Sequence, residues 1–303
     1  MQKTLVILTG PTGIGKTKTE IEIAKYFNTE IISADSRQIF KELSIGTAVP
    51  SNTELSTVRH HLIQTYSLQE NYNASRYETE VLLLLDQLFK KYNLVLMVGG
   101  SMLYIDAVCN GIDIMPDVDP EVRNELIGKL EFEGIESLRL QLKKLDPDYY
   151  NQVDLKNPTR IIHALEISIM TGKPYSSYRS NPKKNRPFKM IKIGLNCNRA
   201  ELHKRINNRV DQMLKFGLEE ETRKVYHLKH LNSLNTVGYR EFFDYFDGLI
   251  SREKAIELIK RNTRRYARKQ LTWFRKDPEM NWFQPGETDK IINFIENKIS
   301  NGE

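Results

Sequence analysis

The residues best suited to chemistry stand near the start of the chain, where three glycines, a lysine and a threonine fall within eight positions. This segment fits the pattern G-x-x-x-x-G-K-[ST], a loop whose backbone N–H groups converge on an anion. Lys16 adds a cation, and Thr17 offers a hydroxyl to Mg²⁺. The spacing therefore predicts a site for a di- or triphosphate formed by Gly10, Pro11, Thr12, Gly13, Ile14, Gly15, Lys16 and Thr17.

The residues on either side supply the elements that such a loop requires. Residues 4–8 are an apolar run typical of a buried strand, and a helical pattern follows the loop. Further strands are predicted over 30–34, 93–98 and 189–195, with helices between them. This alternation predicts an α/β fold: a P-loop NTPase-like parallel sheet core flanked by helices, with its working loops at the carboxyl ends of the strands.

Asp35 is the second candidate for chemistry, because it follows the predicted strand 30–34 at the same edge of the sheet. A carboxylate there can accept a proton from an acceptor substrate, although an Asx-turn or a helix cap explains it equally well. Ser36, Arg37 and Gln38 extend the polar cluster, and Arg and Gln are suited to reading base edges. The strand 93–98 ends in Gly99-Gly100-Ser101 rather than in an acidic residue, which argues against a hydrolytic motor.

Composition and charge narrow the functional classes. The 303 residues are 40% hydrophobic and 28% charged, which is ordinary for an enzyme with a packed core. No apolar run is long enough to span a bilayer, and Cys109 and Cys197 match no metal-ligand spacing, so we expect a cytoplasmic protein. The net charge is +6, and Arg261, Arg264, Arg265 and Arg268 fall on one face of a predicted helix, which indicates contact with phosphates. Tyr266 and Trp273 are expected on a core-facing side of the same helix.

Strand patterns disappear in the middle of the chain, which indicates a helical insertion domain. We predict a first part of the core over 1–112, a helical insertion over 113–188, and the remainder of the core with basic helices over 189–303. The insertion begins with a Pro- and Asp-rich turn at 114–120 and ends with a polar linker at 174–187. Its helix from Pro158 carries a predicted buried stripe of Ile161, Leu165 and Ile169. Arg160 and His163 lie on another face, as solvated surface residues commonly do.

Two further segments bear residues suited to anions and bases. Arg205 and Arg209 share a helix face and can clamp a pyrophosphate, although Arg205 can instead pair with Glu201. Val237-Gly-Tyr-Arg-Glu241 combines an aromatic residue and an arginine, types that stack on and contact nucleotides.

Together these segments resemble the tRNA dimethylallyltransferase family, which prenylates the adenosine next to the anticodon. The matching segments are 10–17, 35–38, 99–104, 157–166, 205–217, 237–241 and 262–275, in the order of the family and across the whole chain. The resemblance implies that the loop holds the pyrophosphate of dimethylallyl diphosphate beside Mg²⁺, with Thr17 as the metal ligand. It implies that Asp35 is the general base and that Arg209, assisted by Arg205, neutralises the leaving diphosphate.

The resemblance also implies a tRNA anticodon stem-loop as partner, gripped by the insertion, and a bacterial-type monomer. The implied tRNA contacts are Asp35, Ser36, Arg37, Gln38, Ser101, Arg123, Thr159, Arg160, Ile161, Ile162, His163, Gly238, Tyr239, Arg240, Arg261, Arg264, Arg265 and Arg268. The chain departs from the family pattern in Gly13-Ile14 for Ala-Ser, Ser101-Met102 for Thr-Gly, and His163 for Arg.

Three alternatives remain on the residues themselves. A small-molecule kinase explains Lys16 and Asp35 but leaves the basic helix and the insertion without a role. A prenyltransferase for free adenine nucleotides has little need of the insertion. A non-catalytic RNA-binding protein leaves Asp35 without a purpose.

Overall fold

The computed structural model describes residues 2–113, 115–116, 119–179 and 184–300 and divides the chain into two compact units. The core unit comprises Met1–Cys109 and Asn185–Glu303, and the insertion unit comprises Asn110–Lys184. The insertion unit thus begins and ends a few residues before the predicted boundaries at 113 and 188. The predicted turn at 114–120 and linker at 174–187 lie partly outside the described residues.

The described part of the core unit contains a six-stranded parallel sheet, which confirms the predicted α/β class. The strands follow the order β3-β2-β4-β1-β5-β6 across the sheet. Their bounds are β1 Thr4–Thr9, β2 Ile31–Ala34, β3 His60–His61, β4 Leu94–Gly99, β5 Lys189–Leu195 and β6 Asn281–Phe283. Every residue of β1, β2 and β4 is buried, which explains why apolar residues predominate in these strands.

Helices connect the strands of the core unit and cover the sheet. Their bounds are α1 Lys16–Tyr26, α2 Asn52–Thr57, α3 Ala74–Leu88, α4 Met102–Asn110, α9 Arg199–Lys215, α10 Leu218–Lys224, α11 Tyr239–Phe246, α12 Arg252–Phe274 and α13 Thr288–Ser300. Side-chain caps fix several of their starts; for example, the Asn198 side chain accepts a hydrogen bond from the backbone N–H of Glu201 at the start of α9. Residues of α1, α9, α12 and α13 pack with the strands in one apolar core.

The strand register determines which loops meet. Gly99 at the end of β4 lies opposite both Thr9 of β1 and Ala34 of β2. The glycine-rich loop, Asp35 and Ser101 each follow one of these strand ends within a few residues. The parallel sheet therefore brings the three predicted polar segments to one edge, which we call the strand-end edge.

The insertion unit is helical, with α5 Pro120–Glu133, α6 Ile135–Leu145, α7 Pro147–Tyr150 and α8 Pro158–Thr171. Asn157 caps α8 by accepting a hydrogen bond from the backbone N–H of Arg160, and Pro158 occupies the first turn. Ile161 and Leu165 are fully buried as predicted. Ile169 is 41% exposed, so its assignment to the buried stripe was wrong. In the described part of the chain no helix is long and apolar enough to cross a membrane.

Candidate active site

The glycine-rich loop adopts a conformation that only glycine tolerates at key positions. Gly15, which immediately precedes α1, has φ 99° in the left-handed region. Gly10 has φ 151°, and a Cβ added there would lie 2.8 Å from the Leu195 carbonyl oxygen. The loop therefore leads directly into the N-terminus of α1, where backbone N–H groups and the helix dipole favour an anion.

Lys16 is held inside this loop. Its Nζ donates hydrogen bonds to the carbonyl oxygens of Gly10 (3.0 Å) and Pro11 (3.2 Å). Burial and the positive charge of Arg209 together lower the pKa of Lys16 to about 8, although the carboxylates of Asp35 and Glu20 partly oppose the shift. An anion bound in the loop would stabilise the protonated ammonium.

Asp35 directly follows β2, and its carboxylate is fixed by the backbone. Its Oδ1 accepts hydrogen bonds from the backbone N–H groups of Arg37 (2.9 Å) and Gln38 (3.3 Å), which is the Asx-turn considered from the sequence. Asp35 also lines two adjacent cavities, of about 500 Å³ and about 50 Å³. The turn thus orients the carboxylate at the cavities, so the structural and chemical interpretations of Asp35 are compatible.

Ser101 and Gln38 support the segment around Asp35. The Ser101 Oγ accepts a hydrogen bond from the backbone N–H of Ser36 at 2.8 Å and donates one to the Ser36 Oγ at 3.1 Å. The Gln38 amide donates to the carbonyl oxygens of Thr47 (3.2 Å) and Ala48 (3.1 Å). The Gln38 Nε2 therefore binds the neighbouring loop, and it is less available for the predicted contact with a base edge.

The larger cavity is lined by both charged and apolar residues. Its polar lining includes Thr12, Asp35, Ser36, Arg37, Arg209, Arg240, Arg265 and Lys269. Its apolar lining includes Ile206, Val210, Met213, Leu218, Val237 and Ile259. A ligand with an anionic end and a short apolar end would find both kinds of surface here.

Arg205 and Arg209 have different surroundings although they lie one turn apart on α9. Arg209 lines the larger cavity, and burial lowers its pKa while the charge of Asp35 opposes the shift. Arg205 donates to Glu201 Oε1 through Nε (2.9 Å) and Nη2 (2.6 Å), and to the Ile14 carbonyl oxygen through Nη1 (3.3 Å). Arg205 thus forms the alternative pair considered from the sequence and braces the outside of the glycine-rich loop.

Helix α12 presents part of its predicted basic face to solvent. Arg265 and Arg268 are exposed, whereas Arg264 donates a hydrogen bond to the Asn207 Oδ1 at 2.6 Å and Arg261 is partly buried. The prediction that Tyr266 and Trp273 face the core was wrong, because they are 36% and 43% exposed. Tyr266 instead lines the larger cavity, where burial and the charge of Asp35 raise its pKa to about 12, with the charge of Arg37 opposing.

The segment around Gly238 and Tyr239 is less accessible than the sequence suggested. Tyr239 is fully buried, and its hydroxyl donates to Glu221 Oε1 at 2.6 Å, so its ring is not available to stack on a base. The Gly238 backbone N–H donates to Glu241 Oε2 at 2.8 Å. Of the three residues 238–240, Arg240 alone is exposed.

The predicted tRNA contacts of the insertion unit divide into exposed, ion-paired and buried residues. Thr159 and Arg160 are exposed. Ile161 and Ile162 are 0% and 7% exposed, so their side chains belong to the apolar core of this unit rather than to its surface. Arg123 and His163 both contact the fully buried carboxylate of Glu166.

The Glu166 cluster, defined as Arg123, His163 and Glu166, is tightly hydrogen-bonded. Arg123 donates to both carboxylate oxygens of Glu166, through Nε at 2.7 Å and Nη2 at 2.6 Å. The His163 Nδ1 lies 2.6 Å from Glu166 Oε1. Burial alone would raise the pKa of Glu166, but the hydrogen bonds from His163 and Arg123 outweigh it and hold the pKa below its usual range.

A family model described as IPP transferase matches residues 38–277, well over half of the chain. The chain belongs to the IPP transferase family. Curated relatives span almost its whole length. The protein named tRNA dimethylallyltransferase 1 of Bacteroides fragilis (strain YCH46) is 54% identical over 297 residues, which cover 98% of this chain and 99% of that protein. The tRNA dimethylallyltransferase of Christiangramia forsetii is 52% identical and covers 99% of this chain and 100% of that protein.

Solved structures agree with this assignment. The full-length tRNA isopentenylpyrophosphate transferase from Bacillus halodurans has a TM-score of 0.73 and 35% identity, covering 99% of this chain and 98% of that one. A eukaryotic dimethylallyltransferase acting on tRNA has a TM-score of 0.80 and 25% identity, covering 99% of this chain and 80% of that one.

This member of the IPP transferase family also has a residue that supports the site and that the sequence did not indicate. Glu221 accepts hydrogen bonds from the backbone N–H groups of three consecutive residues, Ser44 at 3.0 Å, Ile45 at 2.7 Å and Gly46 at 2.8 Å. Gly46 lines the larger cavity, so Glu221 fixes part of its rim. In the sequence Glu221 stands beside Glu219 and Glu220, and nothing in that run distinguishes the residue that turns inward.

Proposed function

We propose that this protein transfers a dimethylallyl group from dimethylallyl diphosphate to the exocyclic amine of the adenosine 3′ of the anticodon in tRNA and releases diphosphate. The observation that carries the proposal lies at the strand-end edge, where Asp35 lines one cavity together with Arg209 and an adjacent cavity together with Lys16. Two cations suit the diphosphate of a donor, and a carboxylate beside them suits the amine of an acceptor. The names of the relatives supply the substrate class.

The diphosphate would bind in the glycine-rich loop at the N-terminus of α1. The backbone N–H groups of residues 10–17 and the Lys16 ammonium would contact its oxygens, and Arg209 would approach from α9. As the allylic C–O bond breaks, negative charge grows on the diphosphate, so cations held in place by the fold stabilise the transition state more than the ground state.

The site is suited to Mg²⁺ held largely through substrate oxygens. Thr17 and the carboxylates of Glu20 and Asp35 line the small cavity, which is an oxygen donor set of the kind Mg²⁺ prefers. In the described ranges no group of three or more His, Cys, Asp and Glu side chains forms a complete metal cage. Thr17 would therefore hold Mg²⁺ together with the diphosphate, and the ion would add to the neutralisation of the leaving group.

The transfer step needs an acceptor and a base. The adenine amine nitrogen would attack the allylic carbon as the C–O bond breaks, and the displaced amine proton would pass to the Asp35 carboxylate. The amine is inaccessible in a stacked loop, so the adenosine must first be flipped out into the cavity beside Asp35. Arg37, Arg240 and Arg265 line that cavity and would contact the RNA.

The remaining RNA contacts would be electrostatic. Arg265 and Arg268 on α12 and Arg160 on α8 are exposed, so they can approach phosphates of the anticodon stem-loop. We expect the protein to act as a monomer in the cytoplasm, where a bacterial tRNA substrate is found.

Transfer of label from dimethylallyl diphosphate to unmodified tRNA tests the proposal. We expect label on a tRNA with adenosine 3′ of the anticodon, and none on the same tRNA with that adenosine replaced by guanosine. Label on free AMP would instead indicate a nucleotide prenyltransferase, and consumption of ATP would indicate a kinase. Either result without transfer to tRNA would overturn the proposal.

A further inference from the structure

A single buried amide connects helix α12 to two loops of the strand-end edge. Gln270 is 2% exposed and lies on the buried side of α12. Its Oε1 accepts a hydrogen bond from the backbone N–H of Thr12 at 2.9 Å. Its Nε2 donates a hydrogen bond to the carbonyl oxygen of Gly100 at 2.8 Å. One side chain therefore satisfies a donor in the glycine-rich loop and an acceptor at the end of β4.

These two loops support the two halves of the candidate site. Thr12 belongs to the loop that would hold the diphosphate. Gly100 precedes Ser101, whose hydroxyl binds the backbone of Ser36 next to Asp35. The fit around Gln270 is tight, because a Cβ added at Gly100 would lie 2.3 Å from the Gln270 Nε2. A shift of Gln270 would therefore displace both the loop that would hold the diphosphate and the segment next to Asp35.

We propose that Gln270 is a positioning residue that fixes the glycine-rich loop and the Gly100 turn relative to each other and joins both to α12. This inference rests on the proposed function, because it assigns Gln270 a role in that reaction without contact with the reacting atoms. The outer face of α12 carries Arg265 and Arg268, so a contact of RNA with this helix would reach the diphosphate loop through one side chain.

The chemistry of the two hydrogen bonds requires an amide. Glutamate in place of Gln270 would still accept from the Thr12 N–H, but it would place a carboxylate oxygen against the Gly100 carbonyl oxygen. A protonated glutamic acid would restore the pattern, since its hydroxyl can donate to Gly100 while its carbonyl oxygen accepts from Thr12. Methionine has a similar length and reproduces neither bond.

The test measures binding of inorganic pyrophosphate with Mg²⁺ to the full-length chain by calorimetry. At about pH 8 we expect Gln270→Glu and Gln270→Met each to weaken binding about tenfold, the effect of leaving buried polar groups unsatisfied. At about pH 5.5 the deficit of Gln270→Glu should shrink severalfold, because burial and the facing Gly100 carbonyl oxygen favour the protonated form of the introduced carboxyl. The deficit of Gln270→Met should not change with pH.

The ratio of variant to wild-type dissociation constants isolates the introduced group. The charged and titratable side chains of the surrounding elements, among them Lys16, Asp35, Arg209, Tyr266 and Lys269, are the same in the wild-type protein and in the variants. Gln87→Glu, at an exposed position of α3, controls for the added charge and should bind pyrophosphate as the wild type does. Circular dichroism and the unfolding midpoint identify any variant that is misfolded.

Wild-type binding by Gln270→Glu at pH 8 would overturn the inference. A deficit that is equal at both pH values would also overturn it, since that result indicates a packing role alone. A failure of the proposed function is distinguishable, because it would appear as absence of prenyl transfer by the wild-type protein while the pyrophosphate measurements remain interpretable.

Discussion

The strand-end edge and the Glu166 cluster both contain charged side chains with lowered pKa values, but the shifts have opposite meanings. At the edge, burial lowers the pKa of Lys16 and Arg209, so their charged forms are disfavoured there. In the cluster, hydrogen bonds from His163 and Arg123 lower the pKa of Glu166 despite burial, so its charged form is favoured. The cations at the edge would gain from an anionic ligand, whereas the buried charge of the cluster is already compensated within the fold.

The largest expected effect tests the proposed chemical role of Asp35. Asp35→Asn retains an oxygen for the Asx-turn but removes the base, so we expect kcat for prenyl transfer to fall by about 10²–10⁴-fold. Affinity for tRNA, measured by filter binding, should be nearly unchanged. Asp86→Asn, at an exposed position of α3, is the matched control. A large loss of tRNA affinity with unchanged kcat would show that Asp35 recognises tRNA and does not act as the base.

The next effect separates two arginines of the same helix. Arg209 lines the larger cavity, so Arg209→Gln should lower kcat by about 10²-fold, the usual effect of removing one preorganised group that stabilises developing charge. Arg205 is paired with Glu201 at the outside of the loop, and such exposed pairs contribute little, so Arg205→Gln should lower kcat by less than about fivefold. Equal losses in steady-state kinetics would show that the Glu201 pair opens when substrate binds.

The pH dependence of pyrophosphate binding tests whether the pKa of Lys16 is lowered in the free protein. Because the free Lys16 has a pKa of about 8 and only its protonated form attracts phosphate, affinity should decline as pH rises above 8, by up to about tenfold per pH unit. Binding of the anion raises this pKa, so the decline in affinity reflects deprotonation of Lys16 in the protein without ligand. Lys16→Arg keeps its charge and should lack the inflection near pH 8. A wild-type affinity that is flat from pH 7 to about pH 9.5 would contradict the lowered pKa.

Much of the fold was predictable because its signals are local. The buried strands β1 and β4 are largely apolar runs, and the glycine-rich loop follows β1 at a fixed spacing. Parallel pairing then places the loop and Asp35 at one edge by general rules of α/β topology. The two-residue strand β3, His60–His61, was missed because it is too short to show periodicity.

The surroundings of some helix residues and the contacts over long sequence separations were not predictable. Tyr266 lies three positions from Thr263 and four from Asn262, and helical spacing alone does not reveal that this side lines a cavity. Gln270 contacts a backbone group 258 positions away, and Glu221 contacts the loop of Ser44 177 positions away. A polar residue that serves distant backbone groups has no local pattern, since its partners are chosen by the tertiary fold.

The smallest expected effect concerns the insertion unit, and it is an effect on stability rather than on activity. Arg123→Met leaves the buried Glu166 with His163 as its remaining partner in the cluster, which should destabilise this unit by about 2 kcal/mol. The lowered pKa of Glu166 means that this stabilisation is present above its usual value of 4.5 and is lost as pH falls through the folded pKa. Thermal unfolding at pH 7 should therefore show a lower midpoint for Arg123→Met, and the difference from the wild type should narrow in acid.

The double variant Arg123→Met with Glu166→Gln separates the two roles that Arg123 can have. Removing the buried charge together with its partner should recover most of the lost stability, because no uncompensated carboxylate remains. If Arg123 also binds phosphate, the double variant will be stable yet bind tRNA more weakly, with a shallower dependence on salt. If tRNA binding recovers with stability, Arg123 belongs to the fold alone. An unchanged unfolding midpoint in Arg123→Met would contradict the stabilising role of the Glu166 cluster. Its charge would then be as available to RNA as the charges of the strand-end edge.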